Sequence, residues 1–122
     1  MKFFCGTDII EIDRIQKSIE DKKEMFLNKI YTQNEIEYCE SKRNAKYQHY
    51  AARFAAKEAI FKAISETLED KYEITWTDVE IINDENGKPK VNFINSKFKV
   101  QCEISISHCK NYAVATAIVI ID

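Results

Sequence analysis

Two acids stand where the surrounding pattern calls for apolar side chains. Asp8 falls on the Phe4/Ile10/Ile12 face of an alternating segment, and Glu58 lies between Phe54 and Phe61 on a helical one. An unpaired carboxylate buried in such a face costs several kcal/mol or shifts its pKa until it is neutral. Each therefore needs a cation. Lys62 follows Glu58 at i+4 on the same helix face, so one answer is a buried ion-pair set, Asp8 with Lys62 or Arg53. The other answer is that two carboxylates from separate elements hold a hard divalent ion. Water positions would then be left for phosphate oxygens, with Lys62 as a phosphate ligand. The residues alone leave both readings open.

His108 follows Ser105-Ile106-Ser107 at the end of an alternating segment and reads either as a turn residue or as part of a site. Cys109 beside it does not make a Cys/His nucleophile pair, because adjacent residues on a strand point apart. Cys5, Cys39, Cys102 and Cys109 form no CxxC pair and no zinc-finger spacing, so they read as reduced cytosolic thiols. Gly-rich phosphate loops, GxSxG elbows and HExxH are absent, which leaves those nucleotide-binding, hydrolase and zinc-protease classes without support. With 18 basic against 20 acidic residues and a net charge of -2, a generic nucleic-acid binder is also unsupported. A local basic patch remains, in the connector Ser41-Lys42-Arg43-Asn44-Ala45-Lys46. Asp8 interrupts the place where a signal peptide keeps an apolar run, and the apolar run 112–121 is half a membrane span, so the reading is a cytoplasmic protein with no membrane segment.

These residues need elements to hold them. A chain of 122 residues with 45% apolar content is one domain, spanning residues 1–122, and with 2 Gly and 1 Pro it is more element than loop. Residues 3–12 alternate as a strand. From 13 to about 30 the spacing of Ile15, Ile19, Phe26 and Ile30 is helical, and Thr32 with Glu35 forms a capping box that opens a short helix to about residue 42. The longest helix runs from about 47 to 68 with a stripe of Ala52, Ala55, Ala56, Ala59 and Ala63, small enough for close approach to a sheet. Phe54 and Phe61 on its other side predict that this side is covered too. Segments 76–83 and 90–94 read as a hairpin about Asn86-Gly87, followed by strands at 100–107 and 112–121, the last apolar on both faces. The fold class is α+β, an antiparallel sheet packed against a long central helix.

Gly6-Thr7-Asp8 followed by Arg14, then Arg53-Phe54-Ala55-Ala56-Lys57-Glu58-Ala59-Ile60-Phe61-Lys62-Ala63, then Ile104-Ser105-Ile106-Ser107-His108, resemble the three signatures of the holo-acyl-carrier-protein synthases, the short bacterial-type 4′-phosphopantetheinyl transferases. The likeness covers nearly the whole chain in order, spacing and length. It implies magnesium-dependent transfer of 4′-phosphopantetheine from coenzyme A to a serine of apo-acyl carrier protein, in support of fatty acid biosynthesis. Asp8 and Glu58 match the metal ligands, Lys62 a phosphate-contacting lysine, and Glu58 is also the candidate base. Ser107 and His108 correspond to residues at the nucleotide end of coenzyme A, with Arg53, Lys42 and Arg43 near its 3′-phosphate. Arg14 resembles a residue that docks the acidic helix of the carrier protein. The resemblance further implies homotrimers with active sites between subunits.

One departure touches the coenzyme A pocket: where the family has glycines just after the central helix, this chain reads Ile64-Ser65-Glu66-Thr67-Leu68-Glu69-Asp70. Two other functions compete. A non-catalytic carrier-binding module would have no need of Asp8, Glu58 and Lys62 together. A magnesium-dependent phosphohydrolase would have no need of a basic docking surface.

Overall fold

The computed structural model describes residues 1–70, 74–94 and 100–122. β1 (Lys2–Glu11) opens the chain and leads directly into α1 (Ile12–Lys22), α2 (Glu24–Ile30) and α3 (Gln33–Glu40). A 3₁₀ turn at Arg43–Ala45 then enters the long helix α4 (Lys46–Ile64). Four strands complete it: β2 (Val79–Asn83), β3 (Pro89–Phe93), β4 (Gln101–His108) and β5 (Tyr112–Ile121).

The strands form two antiparallel sheets, β1-β5-β4 and β2-β3. β5 is central in the first, which agrees with its apolar sequence. Its inward residues Ala113, Ala115, Ala117 and Val119 are all buried, and Asp8 stands opposite Ala115 and Gly6 opposite Ala117. The alanines of β5 meet those of α4, so both surfaces are nearly flat and the helix lies close on the sheet. Closest is Gly6: a Cβ there would sit 2.1 Å from the Ala59 carbonyl oxygen and 2.8 Å from the Ala63 nitrogen, far inside contact distance. No other residue type fits. The opposite face of this sheet is open, with Phe3 and Ile9 65% and 63% exposed and Ile118 43%.

Four boundaries differ from the sequence reading. The helical stretch 13–30 is two helices, because Lys23 adopts φ 51 and its backbone N–H closes α1 on the Ile19 carbonyl. Ile12 belongs to α1 and not to the first strand. Residues 76–78 are a 3₁₀ turn before β2, held by a capping box in which Asp78 accepts from the Thr75 N–H and hydroxyl. α4 stops at Ile64, and Ser65–Thr67 continue as one 3₁₀ turn. The expected capping box of Thr32 and Glu35, the hairpin through Gly87 at φ 81, and the alternation of β4 are all present.

Candidate functional site

The parity of β1 turns Asp8 inward, toward α4, where the tight Gly6 contact brings the strand beneath the last turns of the helix. Lys62 extends from that helix and donates to the Thr7 carbonyl at 3.0 Å and to Asp8 Oδ1 at 3.3 Å. The pair is lopsided. The Lys62 side chain is 54% exposed and Asp8 16%, and Asp8 Oδ2 is buried without any hydrogen-bond partner. An orphaned buried carboxylate oxygen is costly, so an ammonium on one oxygen leaves the site incomplete. The ion-pair reading of Asp8 with Lys62 is thus correct as far as it goes.

Glu58, one turn before Lys62, is half-buried. Burial first, and then the charge of Asp8, push its carboxyl above the usual range, with Lys62 pulling the other way. Asp8 and Glu58 line one cleft of about 320 Å³ together with Arg14, Ser18, Phe26 and Phe54. Two carboxylates that repel each other, one with a free buried oxygen, suit a hard divalent cation. Among the described residues no group of three His, Cys, Asp or Glu gathers for a metal, so an ion here would take its remaining ligands from water or substrate oxygens.

Aromatic rings wall the same helix face. Trp76 stacks on Phe54 at 5.1 Å and meets Phe61 edge-on at 5.1 Å, while Phe26 stacks on Phe54 at 6.4 Å. Trp76 thereby bridges the two aromatics that flank Glu58, and this is the cover expected for that side of α4. Beyond Phe61 a second, mostly apolar cavity of about 660 Å³ is lined by Lys29, Phe61, Lys62, Ser65, Ile74 and Trp76, so Lys62 lines this cavity while its Nζ reaches Asp8 of the first cleft.

A further group forms at the other end of α4. The Arg53 guanidinium lies 4.0 Å over the Tyr38 ring and Lys42 Nζ 4.8 Å from it. His49 meets Tyr38 edge-on at 5.5 Å and stands 6.5 Å from His108, at the end of β4. Arg53 is 4% exposed and its Nε has no partner. Ser107 lies on the exposed side of β4, and Arg43 is exposed with φ 53. The candidate residues therefore fall into two sets, Asp8, Glu58, Lys62 and Arg14 in one, Arg53, Lys42 and His108 in the other. Sequence reasoning passed over Trp76, Tyr38 and His49, whose importance depends on contacts between distant segments.

A family model described as the 4′-phosphopantetheinyl transferase superfamily matches residues 4–117. The chain belongs to that superfamily. Among similar members, the holo-acyl-carrier-protein synthase of Ruminiclostridium cellulolyticum is 44% identical over 98% of this chain and 92% of its own length, and that of Fusobacterium nucleatum 49% over 94% and 96%. The structure of the Bacillus anthracis holo-acyl-carrier-protein synthase in complex with CoA (3′,5′-ADP) superposes with a TM-score of 0.78 at 34% identity, covering 95% of this chain and 94% of that one. The Helicobacter pylori synthase in complex with coenzyme A gives 0.80 at 30%, covering 94% and 98%. In this superfamily member the α+β fold is that of these synthases. No helix among the described residues is long and apolar enough to cross a membrane.

Proposed function

We propose that the chain moves the 4′-phosphopantetheine arm of coenzyme A onto a serine of apo-acyl carrier protein, giving holo-acyl carrier protein and adenosine 3′,5′-bisphosphate in support of fatty acid biosynthesis. One observation carries this reading: Asp8, Glu58 and Lys62 converge where α4 lies on β1, on a chain of this superfamily.

The serine oxygen attacks the phosphorus bearing pantetheine. The bond to the bridging pyrophosphate oxygen breaks, and adenosine 3′,5′-bisphosphate leaves with that electron pair. Glu58, directly or through a water, takes the serine proton. Lys62 holds positive charge beside the pyrophosphate, on a side chain oriented by the Thr7 carbonyl. Asp8 and Glu58 would hold Mg²⁺, for which the free Asp8 Oδ2 is the fitting observation. Bound there, the ion supplies neutralisation of charge building on pyrophosphate oxygens. Arg53, Lys42, Arg43, Ser107 and His108 receive the nucleotide end of coenzyme A, and Arg14 meets the acidic carrier. The exposed Phe3, Ile9 and Ile118 of the open sheet face support a homotrimer, in which this face is covered and each site is completed by a neighbour.

The test is direct. Purified protein, coenzyme A, Mg²⁺ and an apo-carrier are mixed and the carrier weighed by mass spectrometry. A gain of one phosphopantetheine, lost when divalent metal is chelated, is the expected result. No gain with several different apo-carriers refutes the transfer, and light scattering that shows an active monomer at micromolar concentration refutes the trimer.

A further inference from the structure

The cluster around Tyr38, of which the proposed function uses Lys42, Arg53 and His108 but not His49, has an electrostatic peculiarity. Four basic side chains face one another there from three directions: Lys42 from the connector before α4, His49 and Arg53 from α4, and His108 from the end of β4. Among the described residues none of the four makes an ion pair. The acids on either side of Tyr38 on its helix are engaged elsewhere: Glu37 accepts from the Gln33 side-chain amide at 3.4 Å, and Glu40 pairs with Lys46 at 3.4 Å and accepts from the Tyr50 hydroxyl at 2.6 Å. Arg53 is nine-tenths buried with Nε unsatisfied, which is expensive for a charge that no carboxylate balances. Such an arrangement is stabilised by an incoming anion.

We propose that His49 is a further donor-binding residue, which with Lys42, Arg53 and His108 holds a phosphomonoester dianion and makes recognition of that group depend on proton uptake. This rests on the reading of coenzyme A as donor, whose 3′-phosphate is such a group; the same donor without it offers only phosphodiester-type charges. The geometry sets the sign. His49 is half-buried, and burial first, then Lys42, Arg53 and His108, hold its pKa below the usual value. In the free protein at neutral pH it is therefore neutral and adds nothing to the attraction. A dianion among the four groups reverses the local field, raises the affinity of His49 for a proton, and gains a third full positive charge beside those of Lys42 and Arg53. Phosphomonoesters lose their second proton near pH ~6, so the dianion is the main form over the window from pH 6.5 to 8. Above that window the proton is no longer available and the contribution of His49 is lost.

The experiment is titration calorimetry of the full chain with coenzyme A and, separately, with 3′-dephospho-coenzyme A, between pH 6.5 and 8. The preference for coenzyme A should fall about tenfold over that range, one proton-linked step. In His49→Phe and His49→Gln it should change by less than about threefold. Wild-type binding of coenzyme A at pH 7 should also take up protons, seen as different heats in PIPES and Tris, without recourse to a variant. A preference that does not vary with pH overturns the proposal. So does one that varies equally in wild type and both variants, because the titration then belongs to His108 or to the ligand. If neither nucleotide binds at any pH, the donor reading itself fails, which is a different result from either of these.

Discussion

Two lysines of α4, five residues apart, hold carboxylates in opposite ways. Lys57 and Glu35 are both fully buried and 2.6 Å apart. Every polar atom of that pair is used: Lys57 also donates to the carbonyls of Ile30 at 2.7 Å and Trp76 at 3.0 Å, while Glu35 accepts from the backbone of Thr32 and of Ile81, each at 2.8 Å. Lys62 and Asp8 are 3.3 Å apart, half open to solvent, with one carboxylate oxygen unsatisfied. The first pair ties α2, α3, the turn at Trp76 and β2 to the central helix, and nothing is left over to bind anything. The second leaves capacity unused at the edge of a cleft. A complete buried ion pair is architecture; the incomplete one on the same helix is where the proposed chemistry lies.

Cutting each pair at its lysine gives the widest contrast in stability. Lys57→Met strands a buried Glu35 carboxylate and two carbonyls, and should cost about 3–5 kcal/mol in urea unfolding. Lys62→Met removes a partly exposed contact and should cost no more than ~1 kcal/mol. The chain has one tryptophan, Trp76, whose carbonyl Lys57 holds, so its fluorescence reports the loss at that point. Equal losses for the two variants would erase the distinction.

At the incomplete pair the loss should appear in turnover instead. Asp8→Asn and Glu58→Gln should each lower phosphopantetheine transfer by about 10²–10³-fold, roughly 2.7–4 kcal/mol in the barrier, the scale of losing one preorganised electrostatic contact. Thermal unfolding should stay near wild type. If the variants unfold while the transfer survives in the folded fraction, Asp8 and Glu58 are structural, like Glu35.

The two pairs also differ in how far the sequence discloses them. Asp8 is legible because strand parity is local: once residues 3–12 alternate, its side must be the side of Phe4 and Ile10. Glu58 and Lys62 share a helix face by spacing alone. Glu35 is legible only as a cap for Thr32, since its second oxygen binds Ile81, 46 residues on. Lys57 stands inside the Arg53–Ala63 motif, yet its three acceptors come from three other segments. The helix break at Lys23 escaped for another reason, a left-handed lysine with no glycine or proline to signal it. Trp76 read as strand because aromatic and β-branched residues surround it, while the Thr75–Asp78 capping box draws it into a turn. Periodic faces are readable from one chain; partners supplied by distant segments are not.

A metal titration sharpens the comparison further. Glu58 has its pKa raised on folding, so its ionised form costs stability fully above the folded pKa, and the cost fades as pH falls through that value toward 4.5. A divalent cation removes the same cost by pairing with the ionised form. Mg²⁺ at ten times its Kd should therefore add about 1.4 kcal/mol, seen as a rise in Tm of a few degrees. The rise should be larger at pH 7.5 than at pH 5 and absent in Glu58→Gln. An equal rise in that variant would move the ion away from this carboxylate.

The smallest expected effect concerns Arg14, and the structure changes how its test must be read. On sequence it belongs with Lys17, Lys22 and Lys23, a basic patch that would attract an acidic carrier even though the chain as a whole carries a charge of -2. In the fold it also lines the cleft of Asp8 and Glu58. Arg14→Glu should raise the KM for the carrier several-fold, about 0.5–1 kcal/mol, and leave that for coenzyme A nearly unchanged. Exposed charges farther apart than about 8 Å are screened at physiological ionic strength, so a docking role predicts that added salt shrinks the effect. A role in the cleft predicts otherwise. A new acid beside Glu58 would raise its pKa further and shift the acid limb of the kcat profile upward, with both substrates affected and little dependence on salt. Loss confined to the carrier and sensitive to salt assigns Arg14 to docking; loss for both substrates with a displaced pH profile assigns it to the incomplete pair's own surroundings.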